Sequence, residues 1–163
     1  MKVFKLLIVF FFVATISCAQ ESPREKAEGN INKVTVSIDY GAPSVKGRTG
    51  WGGLEQYGKV WRAGANDNTT VSFDKDVKIA GEKLAAGKYG FFIIPVENGD
   101  WTVIFNKKND AWGAFSYNQE EDALRVNISP EFVNDVQEQL LFTVERKAII
   151  MAWDKARLTI PVK

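Results

Sequence analysis

Histidine is absent from the 163-residue chain. This absence excludes Ser-His and Cys-His nucleophile pairs, histidine-ligated metal sites and imidazole acid–base chemistry. Cysteine occurs once, so no disulfide can form within the chain. We therefore expect no metal and no other cofactor, and we expect the fold to be stabilised by burial of its core.

An excess of charge of one sign is also missing. The 21 lysines and arginines are balanced by 20 aspartates and glutamates. Proteins that bind nucleic acids or anionic membrane surfaces usually carry an excess of basic residues, which this chain does not have. We therefore expect neither as a partner. No apolar run reaches the roughly 20 residues that a membrane-spanning helix needs.

Residues 1–18 have the pattern of an export signal. Lys2 and Lys5 precede an apolar stretch over residues 6–16, and small and polar residues follow directly. We therefore predict that the protein is exported to the periplasm or cell envelope.

Two cleavage sites are compatible with this signal. Ser17-Cys18 resembles a bacterial lipobox, in which Cys18 would be lipidated and become the new N-terminus. Alternatively, cleavage before Gln20 would remove Cys18. A lone cysteine without a disulfide partner favours lipidation, which would be the only attachment to a membrane.

The rest of the chain divides into a tether and one domain. Residues 19–32 are polar and lack periodicity, which predicts a flexible tether. From Val34 onward, short apolar runs with period-two alternation recur between turn residues. We therefore predict that residues 33–163 form a single all-β domain. Its expected fold is an antiparallel β-sandwich or a jelly-roll-like arrangement of about nine short strands with minimal helix.

Polar residues between apolar runs predict three hairpin turns. They lie at residues 74–76, at Asn98-Gly99 and at residues 154–155. Residues 74–76 also begin like a calcium loop, but the glycine that such a loop requires is replaced by Ile79.

Two runs, residues 90–95 and 148–153, are apolar on both faces. This pattern predicts central strands that are buried on both sides. One short helix is predicted after Ser129, because Pro130 suits a first helical position.

The candidate site lies in residues 40–68, which break the strand pattern and contain seven glycines. Segments of this length without secondary structure are often functional, and arginine offers a planar fork to carboxylates and phosphates. We predict binding of a small polar or anionic molecule or a glycan. The candidate ligand-binding residues are Arg48, Trp61, Arg62, Asn66, Asp67 and Trp112.

In this prediction Arg48 and Arg62 face one cleft, Trp61 or Trp112 forms a wall, and Asp67 orients one arginine. The alternative is that the segment only braces the fold. Its glycines would then serve turns, and Arg62 would pair with Asp67.

The sequence is compatible with three functions. The first is a non-catalytic envelope module that binds the ligand described above. The second is a hydrolase or lyase that uses carboxylate, tyrosine and arginine groups, with Glu55, Asp67 and Asp110 as candidate carboxylates. The third is a structural envelope protein with a protein partner.

Several blocks of the sequence are typical of one family. They are Tyr40-Gly-Ala-Pro43, Gly47-Arg48, residues 57–66, Ala86-Gly87 with Tyr89, residues 101–106 and Trp112-Gly113. Through these blocks, residues 33–162 resemble the family called domain of unknown function 2911. The resemblance implies an exported bacterial protein with a mostly β domain and no assigned activity. The family pattern usually has glutamate where this chain has Asp67.

Overall fold

The computed structural model describes residues 21–163. The predicted export signal, both cleavage sites and Cys18 lie outside the described residues. Within residues 21–163, ten strands and a 3-10 turn follow in this order: β1 Arg24–Ile31, β2 Val34–Gly41, β3 Thr70–Phe73, β4 Val77–Ile79, β5 Glu82–Leu84, β6 Gly87–Ile94, β7 Trp101–Asn106, the 3-10 turn Gln119–Glu121, β8 Asp122–Ile128, β9 Glu131–Val144 and β10 Ala148–Pro161. In this part of the chain no helix is long and apolar enough to cross a membrane.

One layer of the fold is a six-stranded sheet in the order β1-β2-β3-β6-β7-β8. All neighbouring strands are antiparallel. The alternation in β2 explains its place, because Val34, Val36 and Ile38 turn inward and are buried. The turn predicted at Asn98-Gly99 is confirmed, since it joins the paired strands β6 and β7.

The second layer is built around the antiparallel pair β9 and β10. Residues 43–45 extend it on one side, where Val45 N–H donates to Glu138 O at 2.8 Å. On the other side β4 pairs with the chain end, through Lys78 N–H to Lys163 O at 2.7 Å. Phe142 of β9 contacts Tyr40 and Phe91 of the six-stranded sheet, with ring centroids 4.9 and 5.9 Å away. The predicted antiparallel β-sandwich is confirmed.

Four tryptophans form a buried cluster between the layers. They are Trp51, Trp61, Trp101 and Trp153, with ring centroids 4.4 to 5.6 Å apart. The loop over residues 42–69 thus contributes two large side chains to the core, so part of that loop is structural.

Residues 89–93 of strand β6 are buried on both faces, as predicted for the run 90–95, whereas Ile94 is half-buried. Phe91 and Ile93 turn into the sandwich, and Phe92 on the opposite face packs against Tyr117 at 5.2 Å. Residues 107–121 therefore cover the outer face of the six-stranded sheet. The matching prediction for residues 148–153 is wrong at one position, since Ile150 is only half-buried.

The predicted tether is wrong for most of its length, because β1 pairs with β2 over all of Arg24–Ile31. Its outward residues Lys26 and Glu28 are charged and exposed, and they form an ion pair with each other. Charged residues on an edge strand prevent pairing with other chains and also remove the apolar pattern by which strands are recognised.

The predicted helix after Ser129 is also wrong, because Glu131 begins the long strand β9. Pro130 directly precedes that strand, where the missing N–H costs little. Pairing with β10 over much of β9 outweighs the local helical signal.

Two of the predicted hairpin turns have other roles. Residues 74–76 connect β3 to β4, which belong to different sheets. At Asp154 the backbone adopts φ 50° and forms a bulge inside β10. The buried positions consequently change phase, from Met151 and Trp153 before the bulge to Ala156 and Leu158 after it.

Candidate functional site

Residues 61–69 run beside the second half of β6. Trp61 and Ile93 exchange two backbone hydrogen bonds of 2.8 and 2.9 Å, and Phe91 N–H donates to Thr69 O at 2.8 Å. Side chains alternate along such a segment, so Trp61 enters the core while Arg62 turns to the outer face. Arg62 thereby reaches residues 107–121.

Backbone hydrogen bonds join the two segments. Asn68 N–H donates to Ala111 O at 2.9 Å, and Gly113 N–H donates to Asn66 O at 3.1 Å. Gly113 has φ 68°, and a Cβ there would lie 3.2 Å from both Arg62 Nη1 and the Phe115 ring. Only glycine fits this position without strain.

This arrangement presents two aromatic rings to solvent. Trp112 is 61% exposed and Phe115 is 84% exposed. Their rings are stacked, with centroids 5.8 Å apart and planes inclined by 10°. The Arg62 guanidinium carbon lies 5.8 Å from the Trp112 ring centroid, within the range of a cation–π contact. We call these three residues the aromatic platform.

Arg62 has unused hydrogen-bonding capacity. Its Nε is buried and finds no partner in residues 21–163. A buried donor without an acceptor is energetically costly, and such groups are rare unless a ligand, water or ion completes them. This Nε is shielded from solvent, so it is an unsatisfied donor beneath the platform and not an open ligand contact.

Glu55 lies close enough to Arg62 to respond to its charge. Burial raises the pKa of the Glu55 carboxyl from 4.5 to about 7, and the positive charge of Arg62 partly offsets this rise. No salt bridge forms between these two side chains in the described structure. The two side chains therefore carry opposite charges without forming an ion pair.

The loop that carries the platform is fixed from below. Tyr117 donates to Asp122 at 2.7 Å, and Arg125 donates to the same carboxylate at 2.9 Å and to the Tyr117 hydroxyl at 2.8 Å. Burial and Asp122 raise the pKa of Tyr117 to about 12, so it stays a neutral donor. The loop that carries the platform is thus anchored to β8 through Tyr117.

Asn66 and Asp67 contribute mainly through their backbone. Asn66 adopts φ 60° and its side chain donates to Ser22 O at 3.4 Å. The Asp67 side chain is exposed, and the Asp67 carbonyl accepts from Arg24 Nη1 at 3.1 Å. Arg24 also binds Asp39 and the Asn68 carbonyl. Asp67 therefore orients neither of the predicted arginines, and Arg24 organises this segment instead.

The predicted cleft shared by two arginines does not form. Arg48 donates to Val45 O at 2.9 Å and to Ser44 O at 2.8 Å, so it closes its own loop. Trp61 is buried in the tryptophan cluster and cannot form a wall of a site. Of the six predicted residues, the structure brings Arg62 and Trp112 into side-chain contact, with Asn66 and Asp67 as backbone neighbours.

Two of the three candidate carboxylates share a pocket, and the third lies apart from them. Glu55 lies near Arg62, whereas Asp67 and Asp110 line a separate shallow polar pocket of about 300 Å³ with Arg24 and Lys88. Asp110 is also paired with Lys108 at 3.0 Å. Residues 21–163 contain no group of three acidic or cysteine side chains placed to hold a metal ion.

Phe115 and Arg24 belong to this region and were not predicted from the sequence. Phe115 is part of Trp112-Gly-Ala-Phe, a short aromatic pair around a glycine turn, and that spacing could have indicated it. No sequence pattern indicates the role of Arg24, because its contacts with this segment form only when β1 pairs with β2.

The comparison with family models gives one match. The model described as "Protein of unknown function (DUF2911)" matches residues 22–162. The chain belongs to the DUF2911 family. The match includes β1 and extends to Val162, consistent with the strand found where a tether was predicted. Neither the curated proteins nor the solved structures gave a match.

Proposed function

We propose that this DUF2911 protein is an exported cell-envelope module that binds a glycan or small polar ligand on its aromatic platform without transforming it. The observation that carries the proposal is the stacked, exposed pair Trp112 and Phe115 beside the unpartnered Nε of Arg62. Exposed apolar rings next to unused polar groups are typical of binding sites.

The chemistry of the platform suits a sugar. The negative face of an aromatic ring attracts the positively polarised C–H groups on one side of a pyranose ring. The Arg62 guanidinium beside Trp112 supplies hydrogen-bond donors for hydroxyls. Glycoside hydrolysis requires a pair of carboxylates, and among the described residues no second carboxylate shifts the pKa of Glu55. This favours binding over catalysis.

The rigidity of the site supports binding as well. The Tyr117–Asp122–Arg125 network and the packing of Tyr117 on Phe92 hold the loop from within. A preformed site loses less conformational entropy when the ligand binds.

The proposed attachment to the envelope is lipidation of Cys18. The first described residues lie close to the candidate site, because the Ser22 carbonyl accepts a hydrogen bond from the Asn66 side chain. Cys18→Ser should release the protein from the membrane fraction. Continued membrane association of this variant would refute the lipid anchor, and Ser22→Ala, which leaves Ser17-Cys18 unchanged, serves as the control.

Binding is tested by calorimetric titration of the processed protein with neutral and acidic oligosaccharides. Trp112→Ala should weaken binding at least tenfold, since the ring provides the stacking surface. Phe132→Ala is the matched control, because Phe132 is another half-exposed aromatic residue on β9. The proposal fails if no oligosaccharide binds, or if Trp112→Ala binds as tightly as the native protein.

A further inference from the structure

Three lysines lie side by side on the outer face of the second layer. Across the β4–β5 pair, Lys78 is directly opposite Lys83. On the other side of β4, Lys78 and Lys163 exchange two backbone hydrogen bonds of 2.7 and 2.9 Å, so these two residues are also directly opposite. Directly opposite residues of antiparallel strands place their side chains on the same face. We call Lys83, Lys78 and Lys163 the lysine row.

The neighbouring residues explain why the row faces outward. Val77 and Leu84 pair with each other and are buried, and so do Ile79 and Val162. Side chains alternate along a strand, so the adjacent lysines turn to solvent, and all three are exposed. Neighbouring strands lie about 4.8 Å apart, so the row extends over about 10 Å.

The positive charge of the row is not balanced within the described residues. None of the ion pairs in residues 21–163 involves these lysines. They border an open cavity of about 550 Å³, and Asp76 is the one acidic residue among its described lining residues. A carboxylate oxygen of Asp76 accepts from Ala86 N–H at 2.8 Å, so this residue braces the turn. Like charges directly opposite on neighbouring strands repel, so the row destabilises the hairpin in the absence of an anion.

The shape of the row indicates the kind of anion. An ammonium group binds phosphate as a point charge, without the directional fork of arginine. Three such charges over about 10 Å extend beyond a single phosphate and match several anionic groups along one molecule. We infer that the lysine row binds a small polyanion with linked phosphate groups. This second site goes beyond the proposed function and does not involve the aromatic platform.

The position of the row favours a polyanion in solution. Strand β4 follows Phe73, which pairs with Val36 near the start of β2. The chain enters the fold at the other end of β2, where Arg24 pairs with Gly41. A lipid anchor at Cys18 would hold the membrane at that end, away from the row. The headgroups of that membrane are therefore not the source of the phosphates.

The experiment titrates inorganic tripolyphosphate and orthophosphate into the processed protein at low ionic strength. Tripolyphosphate should bind roughly tenfold more tightly than orthophosphate, because it reaches more than one lysine. Lys78→Gln removes the central charge and should weaken tripolyphosphate binding roughly fivefold. Lys59→Gln removes the charge of an exposed lysine outside the row and is the matched control, which should bind like the native protein.

Thermal unfolding provides a second measurement. Without ligand, Lys78→Gln should melt at a higher temperature than the native protein, because the repulsion within the row is reduced. Tripolyphosphate should raise the melting temperature of the native protein more than that of Lys78→Gln. A larger rise in Lys78→Gln would contradict binding at the row.

The remaining outcomes test the ligand and its source. Absence of tripolyphosphate binding, or equal weakening in Lys59→Gln, overturns the inference. Equal affinity for the two anions also overturns it, because the row would then bind single ions only. Sedimentation with vesicles of phosphatidylglycerol and phosphatidylcholine tests the membrane: vesicle binding that Lys78→Gln abolishes, without tripolyphosphate binding, replaces the inference by a lipid surface. Tripolyphosphate binding that is lost in Trp112→Ala would contradict a site separate from the platform.

Discussion

Replacing Glu55 with glutamine should stabilise the protein at and above neutral pH. Burial holds the pKa of this carboxyl at about 7 in the folded state, against 4.5 ordinarily. The folded protein therefore binds the proton more tightly than the unfolded chain. Glu55 lowers the free energy of unfolding as pH rises from 4.5 through 7, and has no such effect below 4.5.

The size of the effect follows from the shift. The pKa difference is about 2.5 units at 1.36 kcal/mol each, so the ionised carboxyl costs at most about 3 kcal/mol of stability above pH 8. Glutamine keeps the shape of the side chain and cannot ionise. Glu55→Gln should thus match the native protein at pH 4.5 and exceed it by about 2–3 kcal/mol at pH 8.

Urea unfolding at both pH values, followed by tryptophan fluorescence, measures this difference. Other carboxylates titrate in both proteins, so their contributions cancel when the two are compared. Glu97→Gln should follow the native protein throughout. A constant stability difference between Glu55→Gln and the native protein at all pH values would refute the burial of Glu55.

Two further predictions concern the fold. Phe92→Ala should lower the free energy of unfolding in urea by about 3–5 kcal/mol, because Phe92 is buried under Tyr117. Ile150→Ala should lower it by less than about 2 kcal/mol, because Ile150 is only half-buried. Equal losses in the two variants would contradict the covered outer face of β6. Arg24→Ala should speed amide hydrogen exchange in β1 more than in β7, since Arg24 joins β1 to the segment at Asn68. Uniform exchange in that variant would show that Arg24 does not hold the strand.

Much of the fold follows from local pattern. The alternation in β2 and the turn at Asn98-Gly99 depend on nearby residues alone, and both predictions are confirmed. The inward face of strand β1 carries only Ala27, Gly29 and Ile31, which is a weak apolar pattern, and the strand forms by pairing with β2. The bulge at Asp154 likewise reflects the fit of β10 to β9.

The site was predictable only in part. The sequence pointed to residues 40–68 and Trp112, and Arg62 does meet Trp112. Trp61 and Arg62 are neighbours on an extended segment, so they face opposite sides and could not share a cleft. Arg48 is satisfied by carbonyls of its own loop, which composition does not reveal.

The central claim is tested most directly by the indole N–H signals of the tryptophans in a two-dimensional NMR spectrum. The chain has five tryptophans, of which Trp112 alone is exposed and the other four are buried. Adding cellotetraose should shift the Trp112 signal, identified by its loss in Trp112→Phe, and leave the four cluster signals in place. An unchanged Trp112 signal at saturating cellotetraose would contradict binding on the aromatic platform.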